Sequence, residues 1–539
     1  MHKTTKSENF VRIIICLFAF FLIGILTFAS LFSTTGMEII GDGKAISNQV
    51  IQIPYGNESV WYYHDNILAN LLWLGAGTAI CFAVILRLKK MSLKLEILIL
   101  SVWVILSGSI WVISSQVAPT FDSWQVADAA VQAANDNLGF MEYAYFSYYP
   151  FQLGYVLLNE MLTRIYQLFA EVKNLLFLEI MNVLFLAGIY DGILVLNKKI
   201  FQDERIHQLT FLLFLFSIQP VISCSFIYGI YPGLLCAVWA IIFEAEYLRT
   251  EKIRFVLLSS ILIALAYLIK PNYLICLIAM MIVAAVKLIS SLKQPKIAAV
   301  CGAYILMSCC LSFSLPGTVV RFYESRSGIC LKNSLPMISY ISMGLSESDS
   351  APGWYNENHT LGNFHNHDCN TEAAAEASRE HIKDRLKTFS ENTHYRDEFF
   401  YKKFVSQWNE TSYQSIWNNK VREQYQEKKN PAKWICTDGE KSAKGYMDIY
   451  AQFIFTGVLL GCVACFRKKK LMQIIFPLIV IGGMMYHLLS ESKSQYAIPY
   501  YILMTGFAAV GICWLYDKVM PYLKTKLEKR KEEKWKRTI

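Results

Sequence analysis

Pro150–Ala170, PFQLGYVLLNEMLTRIYQLFA, is apolar enough to be taken for a membrane crossing, and whether it crosses decides the topology of everything after it. At helical rotation, Gln152, Asn159, Glu160, Thr163, Arg164, Gln167 and the following Glu171 fall on one arc of about 140°. That is the pattern of an amphipathic helix lying along a membrane surface, because a span with lipid on all sides would not concentrate polar groups on one face. Laid along the outer surface, the helix leaves every later basic cluster on the inner side. These clusters are Lys198, Lys199 and Arg205; Arg249, Lys252 and Arg254; Lys287, Lys293 and Lys296; Arg467–Lys470; and the C-terminal tail. Laid across, it sends all of them outside. The tendency of Lys and Arg to remain cytoplasmic selects the first arrangement.

The composition agrees with a membrane protein. Of 539 residues, 54% are hydrophobic and only 17% charged, with a mean hydropathy of +0.34, which reads as polytopic. Phe10–Phe32 follows Lys3 and Lys6 in the charge order of a signal peptide, but its length is that of a full span, so we read it as an anchor. Further spans are expected at about 67–85, 95–113, 174–196, 208–227, 231–248, 255–270, 272–290, 297–316, 447–465, 471–489 and 496–516, about twelve in all with both termini cytoplasmic. The expected organisation is a transmembrane module, 1–316, containing an outer loop at 116–171; a soluble extracytoplasmic domain, 317–446; C-terminal spans, 447–516; and a basic cytoplasmic tail, 517–539. The soluble segment balances seventeen basic against seventeen acidic residues from Arg321 to Lys444, and helices are expected at Thr371–Phe389 and His394–Trp408. The tail holds nine Lys or Arg against four acids directly after an apolar span, a topology signal and anionic-lipid contact and not a nucleic-acid site. Of fourteen cysteines, eleven lie in apolar segments; Cys330, Cys369 and Cys436 share the polar one, where at most one pair could bridge.

The chemistry-bearing residues gather in the segments placed outside. The stretch Phe121–Asn159 carries Asp122, Asp128, Asp136 and Glu142 with no Lys or Arg, and eight aromatics between Phe121 and Tyr149. Two readings fit Asp122: with Gln125 it forms a capping box at the start of a helix, or its carboxylate faces a cleft as a base. Lys270 ends a span on the outer side, against the positive-inside trend, so it either snorkels or meets a lipid phosphate. Lys493, with Glu491 beside it, is either a second phosphate partner or an ordinary surface pair. Tyr148, Tyr149, Tyr228 and Tyr231 suit an interfacial belt or a sugar-stacking surface. No HExxH or DxD occurs, and His365–Cys369 lacks an established ligand spacing, so no metal or other cofactor is called for. A Gly-rich phosphate loop is absent too, which argues against a nucleotide-sugar or ATP-driven enzyme.

The order of Asp122, an alanine-containing helix, the Tyr148-Tyr149-Pro150 turn and a juxtamembrane amphipathic helix resembles the GT-C glycosyltransferases. The likeness is to the protein-mannosyltransferase and aminoarabinose-transferase branch and its bacterial cell-envelope relatives. It extends to the Phe226–Gly229 joint, the MGLSESDSAPGWYN stretch at Met343–Asn356 and the His487–Tyr496 stretch. The resemblance implies an all-α polytopic fold with an extracytoplasmic juxtamembrane catalytic loop in a bacterial plasma membrane. It further implies transfer of a sugar from a polyprenyl-phosphate donor to a cell-envelope glycan, lipid or protein, with inversion. Asp122 would act as general base, Lys270 and Lys493 would hold the donor phosphate, and Gln125, Tyr148, Tyr149, Tyr228, Glu491 and Tyr496 would contact substrate. Gln495 stands where such relatives often carry Arg. The competing classes are a transporter or lipid-linked glycan flippase, which should carry ionisable groups near mid-span, and a non-catalytic scaffold built on 317–446.

Overall fold

In hydrocarbon a chain must satisfy its own backbone hydrogen bonds, so long runs of Leu, Ile, Val and Phe close into helices. The computed structural model describes residues 6–39, 58–87, 91–115, 119, 121–423, 432–467 and 471–538; the basic residues Lys89 and Lys90 and the Lys468–Lys470 run lie outside it. The chain opens with helix α1 (Lys6–Phe32), strands β1 (Ser33–Ile39) and β2 (Glu58–His64), then α2 (Ile67–Arg87), α3 (Leu93–Ser115), α4 (Phe121–Ala134), α5 (Ala144–Tyr148) and α6 (Leu153–Gln167). There follow α7 (Leu176–Phe201), α8 (Glu204–Phe216), α9 (Gln219–Ile222), α10 (Ile230–Thr250), α11 (Ile253–Ile269), α12 (Leu274–Ser290) and α13 (Pro295–Ser327). Helices α14 (Ile338–Gly344), α15 (Leu361–Asn366), α16 (Thr371–Glu391), α17 (Thr393–Trp408), α18 (Ser415–Glu423) and α19 (Lys433–Cys436) precede α20 (Glu440–Arg467), α21 (Ile475–Leu489) and α22 (Ile498–Thr538).

Among the described residues, ten helices are long and apolar enough to cross a membrane, and the Glu204–Phe216 and Gln219–Ser225 pair, bent by 52°, makes an eleventh if it crosses as one. The bend follows from Ser217, in extended backbone, and from Pro220, which cannot continue the preceding helix. Apart from 208–227, which falls on the bent pair, each segment expected to span falls on a helix, but Ile253–Ile269 has only 17 residues and stands below the length of the others.

The sequence leads to helices alone, yet β1 and β2 pair antiparallel from Ser33 opposite His64 to Ile39 opposite Glu58. Thr34, Thr35, Val60, Trp61, Tyr62 and Tyr63 are residues that suit a pleated, half-buried surface. The hairpin is docked on the 317–446 segment: the Thr35 amide donates to the Asn409 carbonyl at 3.2 Å and the Val60 amide to the Ser350 carbonyl at 3.1 Å.

Helix α6 turns its polar arc into the protein. Asn159, Glu160 and Thr163 are buried, whereas Met161 and Ile165, with Leu168 and Phe169 just beyond, are exposed. A buried carboxylate needs partners. Glu160 receives the Tyr323 hydroxyl at 2.7 Å, the Arg326 guanidinium at 3.0 Å and Arg164 at 3.1 Å. Tyr323 and Arg326 are there because α13 runs past position 316 to Ser327. Gly154 permits the close approach of α6 to the end of α11: a Cβ there would lie 2.0 Å from the Leu268 carbonyl oxygen.

The 317–446 segment is stitched to the same end of the bundle. Lys403 on α17 is fully buried, and its ammonium donates to the carbonyls of Gly344, Leu488 (3.0 Å) and Ser490 (2.9 Å). The Leu335 amide donates to the Tyr148 carbonyl at 3.1 Å. No two cysteines form a disulfide among the described residues, Cys330, Cys369 and Cys436 included.

Candidate functional site

Helix α4 buries a face of small residues, Ala127, Ala129, Ala130 and Ala133 with Val126, which lets it lie close on α6. Its first turn carries Asp122, half-buried beside Phe121, whose φ of 49° sets the entry to the helix. The Asp122 carboxylate accepts the Tyr228 hydroxyl at 2.9 Å. Tyr228 precedes Gly229, at φ 74°, where a Cβ would come within 3.2 Å of the Ile269 carbonyl oxygen. That turn sets the Tyr228 backbone beside the end of α11. There Lys270 donates to the Tyr228 carbonyl at 3.2 Å and its Nζ lies 3.6 Å from the centre of the Tyr228 ring. One tyrosine thus carries a carboxylate at its hydroxyl and an ammonium at its ring and carbonyl. Burial pushes the Lys270 ammonium down to about 7, against the pull of Asp122 and Glu491.

Glu491, Lys493 and Tyr496 arrive from the joint between α21 and α22. The Tyr496 hydroxyl donates to Glu491 at 3.0 Å, Lys493 Nζ stands 3.9 Å from the same carboxylate, and Lys270 Nζ lies 5.8 Å from the Tyr496 ring centre. His487 fixes the joint by a 2.9 Å contact from Nδ1 to the Glu491 carbonyl and by stacking on Tyr496. Burial raises the Glu491 carboxyl, opposed by Lys493 and the Tyr496 hydrogen bond and reinforced by Asp122. Tyr149, Tyr340 and Tyr355 close the surround: burial pushes all three hydroxyls up, and the charges of Asp122 and Glu491 add to it.

Of the residues singled out from sequence, Asp122, Tyr149, Tyr228, Lys270, Glu491, Lys493 and Tyr496 therefore come together. Tyr148 turns elsewhere, its hydroxyl 3.0 Å from His365 Nε2 and its ring against Phe364. Gln125 is half-buried on α4, and among the described residues no hydrogen bond joins it to the cluster. Asp136 stays exposed and pairs with Arg164 at 2.6 Å. Sequence reasoning missed Tyr340, and Tyr355 was visible only as part of the Met343–Asn356 stretch; both belong to the segment read as a separate soluble domain. Among the described residues no three His, Cys, Asp or Glu side chains converge as metal ligands.

A small, largely apolar void of about 10 Å³, room for about one water, lies beside the cluster between α10, α12, α21 and α22. Lys270 and Tyr496 stand at its polar end, and Leu234, Cys276, Ile479 and Leu503 line it further in. Chemically, the site offers a carboxylate able to accept a proton and a buried cation able to meet an anion.

A family model described as conserved hypothetical integral membrane protein matches residues 7–511. The chain belongs to that family. Membership makes it an integral membrane protein, and the ten long apolar helices make it multi-pass. No curated protein matches the sequence. Among solved structures, the archaeal oligosaccharyltransferase AglB from Archaeoglobus fulgidus, in complex with an inhibitory peptide and a dolichol-phosphate, is similar at 11% identity and a TM-score of 0.38. The match covers 79% of this chain and 52% of that one, so this chain spans about half the length of AglB. At that score the likeness fixes neither fold nor activity.

Proposed function

We propose that this protein is a membrane glycosyltransferase that moves a sugar from a polyprenyl-phosphate donor to a cell-envelope acceptor at the outer face of a bacterial plasma membrane. The observation that carries the reading is the Asp122–Tyr228–Lys270 arrangement, a carboxylate and an ammonium held on one tyrosine. The approach of Glu491, Lys493 and Tyr496 to the same cluster and the sequence resemblance to GT-C enzymes support it. On this reading the donor phosphate sits on Lys270, with Lys493 near. The acceptor oxygen bonds to the anomeric carbon as the bond from that carbon to the phosphate oxygen breaks. The acceptor proton passes to Asp122, and the electron pair leaves on the phosphate, where the ammonium meets its charge. The bent α8–α9 pair and Ile253–Ile269 both cross, giving twelve spans with both termini cytoplasmic.

The test is transfer from a polyprenyl-phosphate sugar to extracted envelope glycan by purified protein. General-base catalysis contributes about 10²- to 10⁴-fold, so Asp122→Asn should lose at least about a hundredfold in kcat. Full transfer by that variant would remove Asp122 from the mechanism.

A further inference from the structure

A second concavity, of about 290 Å³, opens between the β-hairpin and the 317–446 segment. Tyr62 of β2 forms one wall, the loop Glu347–Pro352 the floor, and Tyr395, Glu398, Phe399 and Lys402 of α17 the other wall. Its size is that of a small-ligand site and too small for a folded partner. Its chemistry is aromatic faces beside carboxylates and hydroxyls. Two of the carboxylates are already engaged: Glu347 accepts the Tyr395 hydroxyl at 2.5 Å, and Glu398 pairs with Lys402 at 2.6 Å. Arg385 stands behind Tyr395, donating to its hydroxyl at 2.8 Å. Positive charge is therefore supplied from within, and the cleft has little reason to take a polycation, while Glu347 and Glu398 disfavour a polyanion. Neutral polyols suit what remains, since carboxylates accept their hydroxyls and rings cover their C–H faces.

The cleft is tied to the carboxylate–ammonium cluster by one short loop. The Ser348 hydroxyl donates to the Tyr355 carbonyl at 2.8 Å, the Gly353 amide to the Ser346 carbonyl at 2.8 Å, and the Ser492 amide to the Gly353 carbonyl at 2.8 Å. Ser492 adjoins Glu491, and the ring of Tyr355 lies 5.5 Å from Lys493 Nζ. A ligand seated against Ser348 and Ser350 is thus held on the far face of the loop whose near end walls the cluster.

We infer that this cleft is a subsite for a neutral saccharide, the chain of the acceptor glycan, which makes a glycan and not a lipid or peptide the acceptor class. The inference rests on the transferase reading above for the word acceptor, but not for the binding itself. The test separates the two. Full-length Asp122→Asn protein in detergent is titrated with chitobiose, maltotriose and cellotriose, and binding is followed by saturation-transfer NMR. At least one saccharide should bind, with affinity falling at least about tenfold in Tyr62→Ala and in the Glu347→Gln/Glu398→Gln pair. Tyr62→Phe keeps the ring and should retain binding, which distinguishes a lost contact from a misfolded hairpin. In otherwise wild-type protein the same losses should appear as a raised acceptor KM, with donor KM unchanged. Absence of saccharide binding at millimolar concentration, binding indifferent to both variants, or displacement by tetralysine in preference to saccharide would overturn the inference. If the cleft binds saccharide while Asp122→Asn transfers normally, the subsite stands and the catalytic reading falls.

Discussion

Lys270 shows how a residue's meaning depends on contacts that no local pattern encodes. From sequence it was a lysine at the wrong end of a span, open to a snorkelling explanation. In the fold it is buried against Tyr228, whose hydroxyl serves Asp122, and burial holds its ammonium near neutrality. A depressed lysine pKa means that the charged form is present below about 7 and is lost as pH rises through it. An anionic donor requires the charged form, so donor KM should rise with pH above about 7 in the wild type. Lys270→Arg, whose guanidinium stays charged, should move that limb upward by more than about one pH unit, while Lys270→Met should bind donor weakly at every pH. A pH series of initial rates at varied donor checks this, and a flat donor KM from pH 6 to 9 would take the phosphate away from Lys270. Tyr340 marks the opposite limit of legibility: nothing near it in the chain distinguishes it from a packed tyrosine, and only the fold brings it to Glu491 and Asp122.

At the scale of elements, the amphipathic character of Leu153–Gln167 was legible because polar residues on an arc of about 140° survive any choice of neighbour. Which way the arc points was not, since the same periodicity suits a helix facing water and one facing protein. The deciding partners, Tyr323 and Arg326, sit on α13 beyond the point where hydropathy ends the span. A hydropathy boundary marks where lipid ends, not where the helix does. The clamp they make with Glu160 carries a stability consequence. Removing one partner of a fully buried ionic pair costs about 3 to 5 kcal/mol; Arg164 and Arg326 are partly exposed and keep Asp136 as a second partner, so the loss here is smaller. Glu160→Ala should therefore lower the thermal midpoint of detergent-solubilised protein by several degrees. Adding Arg326→Met should restore part of the loss, and additive losses would show that the two do not act as a unit.

The whole molecule separates its charges end to end. Lys198, Lys199 and Arg205 lie at the α7–α8 joint, Arg249, Lys252 and Arg254 at α10–α11, and Lys287 and Lys296 at α12–α13. Asp122, Lys270, Glu491 and the 317–446 segment lie at the opposite ends of these helices, where Lys403 is bound to α21 through the Leu488 and Ser490 carbonyls. On the proposed topology the positive-inside tendency puts the site end outside, and the molecule carries its own reporter for this. Cys330 is exposed at the site end, while Cys369 is only partly exposed and Cys436 is buried. In intact cells a membrane-impermeant maleimide should label the protein, and Cys330→Ser should remove most of that signal. In the Cys330→Ser background a cysteine at Glu251, in the α10–α11 turn at φ 56°, should react only after the membrane is permeabilised. The reverse pattern would put Asp122 and Lys270 on the cytoplasmic side, away from any outward-facing acceptor, and with them the whole assignment of donor and acceptor would invert.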